Sequence, residues 1–221
     1  MTSISEKLGI IRTKFPEHVT LVAVSKTKPS SAIQEAYDAG QRIFGENRVQ
    51  EMAEKHDELP KDIEWHMIGH LQSNKVKYMA SFVSLVHGVD SLKLLQEINN
   101  QAQKNDRIID CLLQFHIASE STKFGLHEKE AHELLSSSDY AQMKNIRVRG
   151  VMGMSTFTED DDLILKEMGS LKDISDRLKV EFFNADGMFD TISMGMSGDY
   201  GLAIKQGSTM IRLGSSIFGK R

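Results

Sequence analysis

The chain is poor in several features that would each point to a class of function. It has one cysteine, Cys111, so no internal disulfide can form. Its place in the strand-like run CLLQF reads as a small buried hydrophobe. There are only 3 prolines and no low-complexity linker, so residues 1–221 read as a single domain. No stretch reaches the ~18 apolar residues that a membrane span needs. The N-terminal MTSISEKLGIIRTKF lacks the apolar segment of a secretion signal and reads as an amphipathic helix. Basic residues are not in excess: Lys and Arg number 27 against 31 Asp and Glu, a formal net charge of -4. A nucleic-acid partner usually leaves a basic footprint. The expectation is a cytoplasmic protein with neither a membrane nor a nucleic-acid partner.

What is present is alternation. Eight short apolar or β-branched runs recur: TLVAV (20–24), RIFGE (42–46), EWHMIG (64–69), FVSLVHGV (82–89), IIDCLLQFHI (108–117), RVRGVMGM (147–154), DTISMG (190–195) and TMIRLG (209–214). Between them lie segments of helical period at 30–39, 47–58, 74–80, 91–104, 128–136, 159–178 and 200–206. Ser30 and Ser91 read as N-caps, and Asp160 to Asp162 put acid into a first turn. Strands alternating with helices imply parallel βαβ units. Eight of them predict an α/β protein of the (β/α)₈ barrel type, compact against the usual ~250 residues. The rival is an open doubly wound sheet, but no Gly-x-Gly-x-x-Gly follows the first run. VEFFNADGMF (180–189) stays open between an extra short strand and a loop.

In such a barrel, function sits at the C-terminal ends of the strands. The seventh run is followed by SMGMSGD and the eighth by RLGSS, both rich in Gly and Ser. The loops after strands seven and eight are where barrels of this kind often bind phosphate. Small residues there let backbone N–H groups approach an anion, which nominates Ser197, Gly214 and Ser215 as donors. In TMIRLG, Ile211 and Leu213 share one face, and Met210, Arg212 and Gly214 the other. The apolar pair should meet the helices, so Arg212 points into the barrel. A charge there needs a partner, either a structural ion pair, with Glu46 as the candidate, or a ligand. By the same parity Val22, Val24 and Lys26 share a face. A partly desolvated lysine beside an arginine has a lowered pKa and is a nucleophilic amine. Lys28 has the same parity but precedes Pro29 and lies in the turn, where it is at most a helper in anion capture. A mouth lysine, a phosphate cup and an inward arginine suit a ligand bearing an aldehyde and a phosphate, as pyridoxal 5'-phosphate does.

Taken together, LVAVSKTKP, FGENRVQE, EWHMIGHLQSNK, GVMGMST and SMGMSGDYGLAIKQGSTMIRLGSSIFG resemble the YggS/PROSC-type pyridoxal phosphate homeostasis proteins. The resemblance spans nearly the whole chain. It implies a fold-type III barrel, like the N-terminal domain of alanine racemase. Lys26 is then the lysine that forms the internal aldimine. Ser197, Gly214 and Ser215 are the phosphate contacts, and Arg212 faces the pyridine nitrogen. Asn47 stands near the cofactor, and His66 and Met152 line the pocket. The family is regarded as carrying or regulating the cofactor without established turnover. An arginine at the ring nitrogen disfavours its protonation and weakens the electron sink.

Three readings compete: a cofactor carrier, a minimal cofactor-dependent racemase or lyase using Lys26 as base, and a phosphate-sugar enzyme whose Lys26 attacks substrate. Racemases of this fold complete their site with a second domain. The sequence ends on IFGKR at Arg221, so that domain and its tyrosine are expected to be absent, with a monomer as the expected state. Apo forms of cofactor-dependent enzymes are the expected recipients. Lys123, in the loop after the fifth run, is expected to be an exposed amine open to secondary reaction with the cofactor.

Overall fold

Each strand of this chain presents one apolar face to helices and a mixed face to the opposite side, and that asymmetry decides how the sheet closes. The structure, a computed structural model, describes residues 2–119, 124–184 and 187–219. The strands are β1 (Thr20–Val24), β2 (Ile43–Glu46), β3 (Glu64–Met67), β4 (Leu85–Val89), β5 (Ile109–Gln114), β6 (Ile146–Met152), β7 (Thr191–Ser193) and β8 (Met210–Leu213). They pair in sequence order, all parallel, and β8 returns to β1, giving a closed barrel. All eight runs expected from the sequence became strands, most of them a few residues shorter.

The helices are α1 (Ile4–Arg12), α2 (Ser30–Asp38), α3 (Val49–Glu58), α4 (Leu92–Lys104), α5 (Glu128–Leu135), α6 (Ser138–Gln142), α7 (Asp161–Phe182), α8 (Tyr200–Lys205) and α9 (Ser215–Phe218). The segment after β3 is a 3₁₀ helix, Ser73–Tyr78. Local chemistry sets several starts. Ser3 and Glu6 form a reciprocal capping box on α1. Ser91 accepts from Leu94 N and opens α4, and Asp160 accepts from Leu163 N and opens α7. Ser30 is not the expected cap. It is the first helical residue of α2 behind Pro29, and its hydroxyl goes to Glu58 instead. The short α6 and α9 had no periodicity long enough to be seen in the sequence. Residues 180–182 complete α7, and a loop follows in which Phe183 and Phe189 stack at 4.2 Å. Among the described residues there is no extra strand there.

Two separate apolar groups follow from strand parity. Leu21, Ala23, Phe44, Trp65, Val86, Cys111, Val151, Ile211 and Leu213 pack outward against the helices. Val22, Leu85, Leu112, Met152 and Met210 fill the barrel, with Ile43, Ile68 and Met154 against them. Full burial of each such side chain is worth about 1.5–3 kcal/mol. Cys111 is buried on the outward side, and burial pushes its thiol pKa up, as expected of a packing residue. The interior plug leaves the C-terminal ends of the strands as the face on which a site can be built.

Candidate cofactor-binding site

Register sets the relative depth of the residues at the mouth. Val22 is the partner of Arg212 across the β1–β8 pair, and Val22 and Met210 share the interior cluster. Arg212 and Gly214 follow Met210 with the same inward parity, as Val24 and Lys26 follow Val22. Lys26 lies in the turn directly after β1 and is half-buried. Gly214 sits beside Val24: a Cβ on it would come 3.3 Å from Val24 O. The lysine turn and the loop after β8 are therefore neighbours.

The two Gly/Ser loops meet. Gly214 N donates to Ser197 Oγ at 3.4 Å, across 17 residues of sequence. Gly195 turns the chain after β7 at φ 96, where a Cβ would collide with Ala203 Cβ at 2.6 Å. Asp199 ties this loop down: it accepts from Met196 N at 2.5 Å and from Ser155 Oγ, in the loop after β6, at 3.0 Å. Ser215 begins α9 and is exposed. Ser197, Gly214 and Ser215 thus come together at the mouth.

Arg212 is buried but has no carboxylate in ion-pair range among the described residues. Its Nη1 donates to Ser193 O at 2.9 Å and Ser193 Oγ at 2.5 Å, and its Nη2 to Gly153 O at 3.2 Å. The bonds to described residues are made by Nη1 and Nη2, and its Nε–H has no partner among them. Burial brings its pKa down to about 10, with Asp199 pulling the other way, so it stays a cation at neutral pH. The suggested pairing with Glu46 does not occur. Glu46 accepts from Ser25 Oγ at 2.6 Å and Lys55 Nζ at 2.7 Å. Strand parity explains this, because Glu46 follows inward-facing Gly45 and so points to the helix side.

Asn47 stands just after β2, outside α3, with its backbone against Gly69. Met152 ends β6 inside the interior cluster, fully buried. His66 lies in the barrel interior, bonds to His87, and lines a cavity of about 490 Å³ at the N-terminal face, with Glu64, Asp110, Arg149 and Asp190. The structure therefore places it towards the end opposite the mouth. Lys28 is no anion helper: its Nζ donates to Phe218 O at 3.2 Å and Gly219 O at 3.3 Å, capping the carbonyls that end α9. Lys123 lies outside the described residues. Among the described residues no group of three or more His, Cys, Asp or Glu is arranged to hold a metal.

The family described as alanine racemase, N-terminal domain, matches residues 1–221. The pyridoxal phosphate homeostasis protein of Vibrio alginolyticus is 40% identical over 211 residues, covering 93% of this chain and 88% of that protein. That of Escherichia coli is 36% identical over 238 residues, covering 100% and 98%. The chain belongs to the pyridoxal phosphate homeostasis protein family. Among solved structures, PipY of Synechococcus elongatus with PLP bound superposes with a TM-score of 0.88 at 33% identity, over 98% of this chain and 100% of that one. Alanine racemase of Clostridium difficile shares the fold alone, with a TM-score of 0.79 at 16% identity, over 99% of this chain and 60% of that one.

This member of the pyridoxal phosphate homeostasis family holds its mouth in place with a network that sequence reasoning missed. Lys55 is buried on α3 and donates to Ser25 O at 2.9 Å, Glu46 Oε1 at 2.7 Å and Glu51 Oε1 at 2.6 Å. Glu51 also accepts from Thr27 N at 2.5 Å. Thr27 has φ 64, a costly conformation for a β-branched residue. Both neighbours of Lys26 are thus fixed from behind. Lys55 shares a helix face with Val49 and Met52, which are buried. A lysine on an apolar face was the one available signal.

Proposed function

We propose that this chain binds pyridoxal 5'-phosphate covalently through Lys26 and acts in its homeostasis as a carrier, without catalytic turnover. The observation that carries the reading is the convergence at one barrel mouth of the Lys26 turn, the joined Ser197–Gly214 loops and a buried arginine with an unbonded Nε–H. Sequence identity of 33% to PipY, whose structure was solved with PLP bound, supports the same assignment.

The residues fit the group. Ser197, Gly214 and Ser215 offer hydroxyl and amide donors suited to a phosphate. Arg212 offers an N–H to a ring nitrogen and, as a donor only, gives that nitrogen no proton. Asn47 stands on the same rim. Met152 forms the apolar floor, and His66 belongs to the polar interior beneath it. When bound, the cofactor supplies an aldehyde that exchanges reversibly with amines. Lys26 contributes the amine, and Ser25 and Thr27 on either side fix its origin.

A carrier needs capture and release and no second acid or base. Tyr37, Tyr78 and Tyr140 lie on α2, the 3₁₀ helix and α6, and Tyr200 begins α8 behind the β7 loop. We extend the proposal to a single domain over residues 1–221, a monomer in the cytoplasm, and apo enzymes as recipients. Among the described residues no helix is long and apolar enough to cross a membrane. In the test, purified wild type absorbs near ~420 nm, as a Schiff base of this cofactor does, and Lys26→Ala does not. A colourless wild type reconstituted with the cofactor contradicts binding. Amino-acid racemisation that disappears in Lys26→Ala contradicts the carrier role.

A further inference from the structure

The barrel interior holds a row of polar side chains that covalent attachment does not use. Arg212 Nη1 donates to Ser193 Oγ at 2.5 Å. Ser193 Oγ lies 3.0 Å from His87 Nδ1, and His87 Nε2 lies 3.0 Å from His66 Nδ1. All four residues are buried, Ser193 and His87 completely. The row starts beneath the mouth and ends at the N-terminal cavity, which His66 lines.

A guanidinium has donors and no acceptor, so the Arg212–Ser193 bond runs one way, and satisfying the buried hydroxyl proton sets the rest of the row. Ser193 Oγ accepts from Arg212, and its own proton goes to its other neighbour, His87 Nδ1. A neutral His87 that accepts at Nδ1 carries its proton on Nε2 and donates it to His66 Nδ1. His66 then carries its proton on Nε2, the nitrogen left for the cavity. The opposite polarity, with His87 Nδ1–H donating to Ser193 Oγ, would leave the buried Ser193 hydroxyl proton without an acceptor among the described residues. A further proton on either ring would break the row, and burial opposes it. Burial holds His66 at about 3 and depresses His87 strongly, where the facing His66 and Arg212 add to the effect. The titratable and charged residues that line the same cavity as His66 are His18, Glu64, Asp110, Arg149 and Asp190.

We propose that Ser193 and His87 are positioning residues for Arg212, locking its guanidinium through a one-directional donor row that ends on His66 at the far side of the barrel. The row also fixes both histidines as neutral Nε2–H tautomers. Its value to the cofactor rests on the reading above, that Arg212 faces the ring nitrogen. A guanidinium tied by both Ser193 oxygens and by Gly153 O has one rotamer available, so its free N–H is presented in one direction with little ordering left to do on binding.

Nitrogen-15 and carbon-13 NMR of the histidine side chains tests the row directly, on the wild type and before any cofactor is added. The expected result is Nε2–H on both His66 and His87 at neutral pH. An Nδ1–H tautomer or an imidazolium on His87 overturns the proposal, and this reading needs no variant. In Ser193→Ala, His87 should lose its single tautomer. Affinity for pyridoxal 5'-phosphate should fall about three- to tenfold, the scale of one net hydrogen bond. The visible maximum should shift, and Ser193→Thr, which keeps the hydroxyl, should restore both. Expected tautomers with unchanged affinity and spectrum in Ser193→Ala overturn the positioning role. If the spectrum is also unchanged in Arg212→Lys, it is the placement of Arg212 at the ring that has failed.

Discussion

Lys55 Nζ donates to the carbonyl oxygen of Ser25 at 2.9 Å, across 30 residues of sequence, and Ser25 is the residue before Lys26. The same ammonium neutralises Glu46, whose side chain is fully buried. Replacing Lys55 by Met removes the partner of a buried carboxylate, at a cost of about 3 kcal/mol. For a chain of this size that lowers Tm by about 6–12 °C. Adding Glu46→Gln should recover part of the loss, because the orphaned charge is gone. Denaturant unfolding of the two single variants and the double closes the cycle. Strictly additive losses would contradict the coupling.

Thr27 offers a way to separate stability from function. Its φ of 64 costs a β-branched residue on the order of 1–3 kcal/mol. Thr27→Gly should leave Tm unchanged or raise it, while the looser Lys26 turn takes up the cofactor more slowly. Thermal melting and stopped-flow absorbance read the two effects. A clear fall in Tm would show that Thr27 is not strained.

The phosphate cup predicts a discrimination. Ser197→Ala and Ser215→Ala should each weaken pyridoxal 5'-phosphate by about tenfold, the loss of a hydrogen bond to a charged group. Pyridoxal, which has no phosphate, should bind these variants as it binds the wild type. Parallel titrations with the two ligands check this, and equal losses for both would place the serines elsewhere.

How much of this was legible beforehand follows the range of the interactions. Period-2 and period-3.6 patterning acts over a few residues, so all eight strands and the inward parity of Arg212 could be read. So could the pairing of two Gly/Ser loops, because the barrel fixes where strands seven and eight end. The Ser193–His87 contact spans 106 residues, and nothing local to TISM or LVHGV states it. Lys28 shows the same limit, since its carbonyl partners are 190 and 191 residues away. His66, which the resemblance implied would line the pocket, does face the interior, but a place on the third strand gives no depth, and its depth is what puts it towards the far end.

Acid sensitivity follows from the buried histidines. His66 is held at about 3 by burial and His87 is also depressed, whereas an unfolded histidine titrates near ~6.5. Below that value the unfolded chain binds protons that the native one excludes, so stability falls as pH drops, by up to about 1.4 kcal/mol per pH unit per ring. Glu46 works the other way, since burial raises its pKa and the native state takes up its proton first. Two rings against one carboxyl leave a net loss of about 1–2 kcal/mol between pH 6.5 and 5.5. Urea unfolding at both pH values measures it. Equal or greater stability at pH 5.5 would mean that the histidines are not held neutral.

The central claim is that one lysine of this chain holds the cofactor. Borohydride reduction of the yellow protein, followed by proteolysis and mass spectrometry, makes the linkage permanent and locates it. The account predicts the pyridoxyl group on Lys26, in the peptide carrying AVSK, with Lys28 unmodified because its ammonium is tied to Phe218 and Gly219. A label found on Lys28 or Lys123, with Lys26 unlabelled, would contradict it.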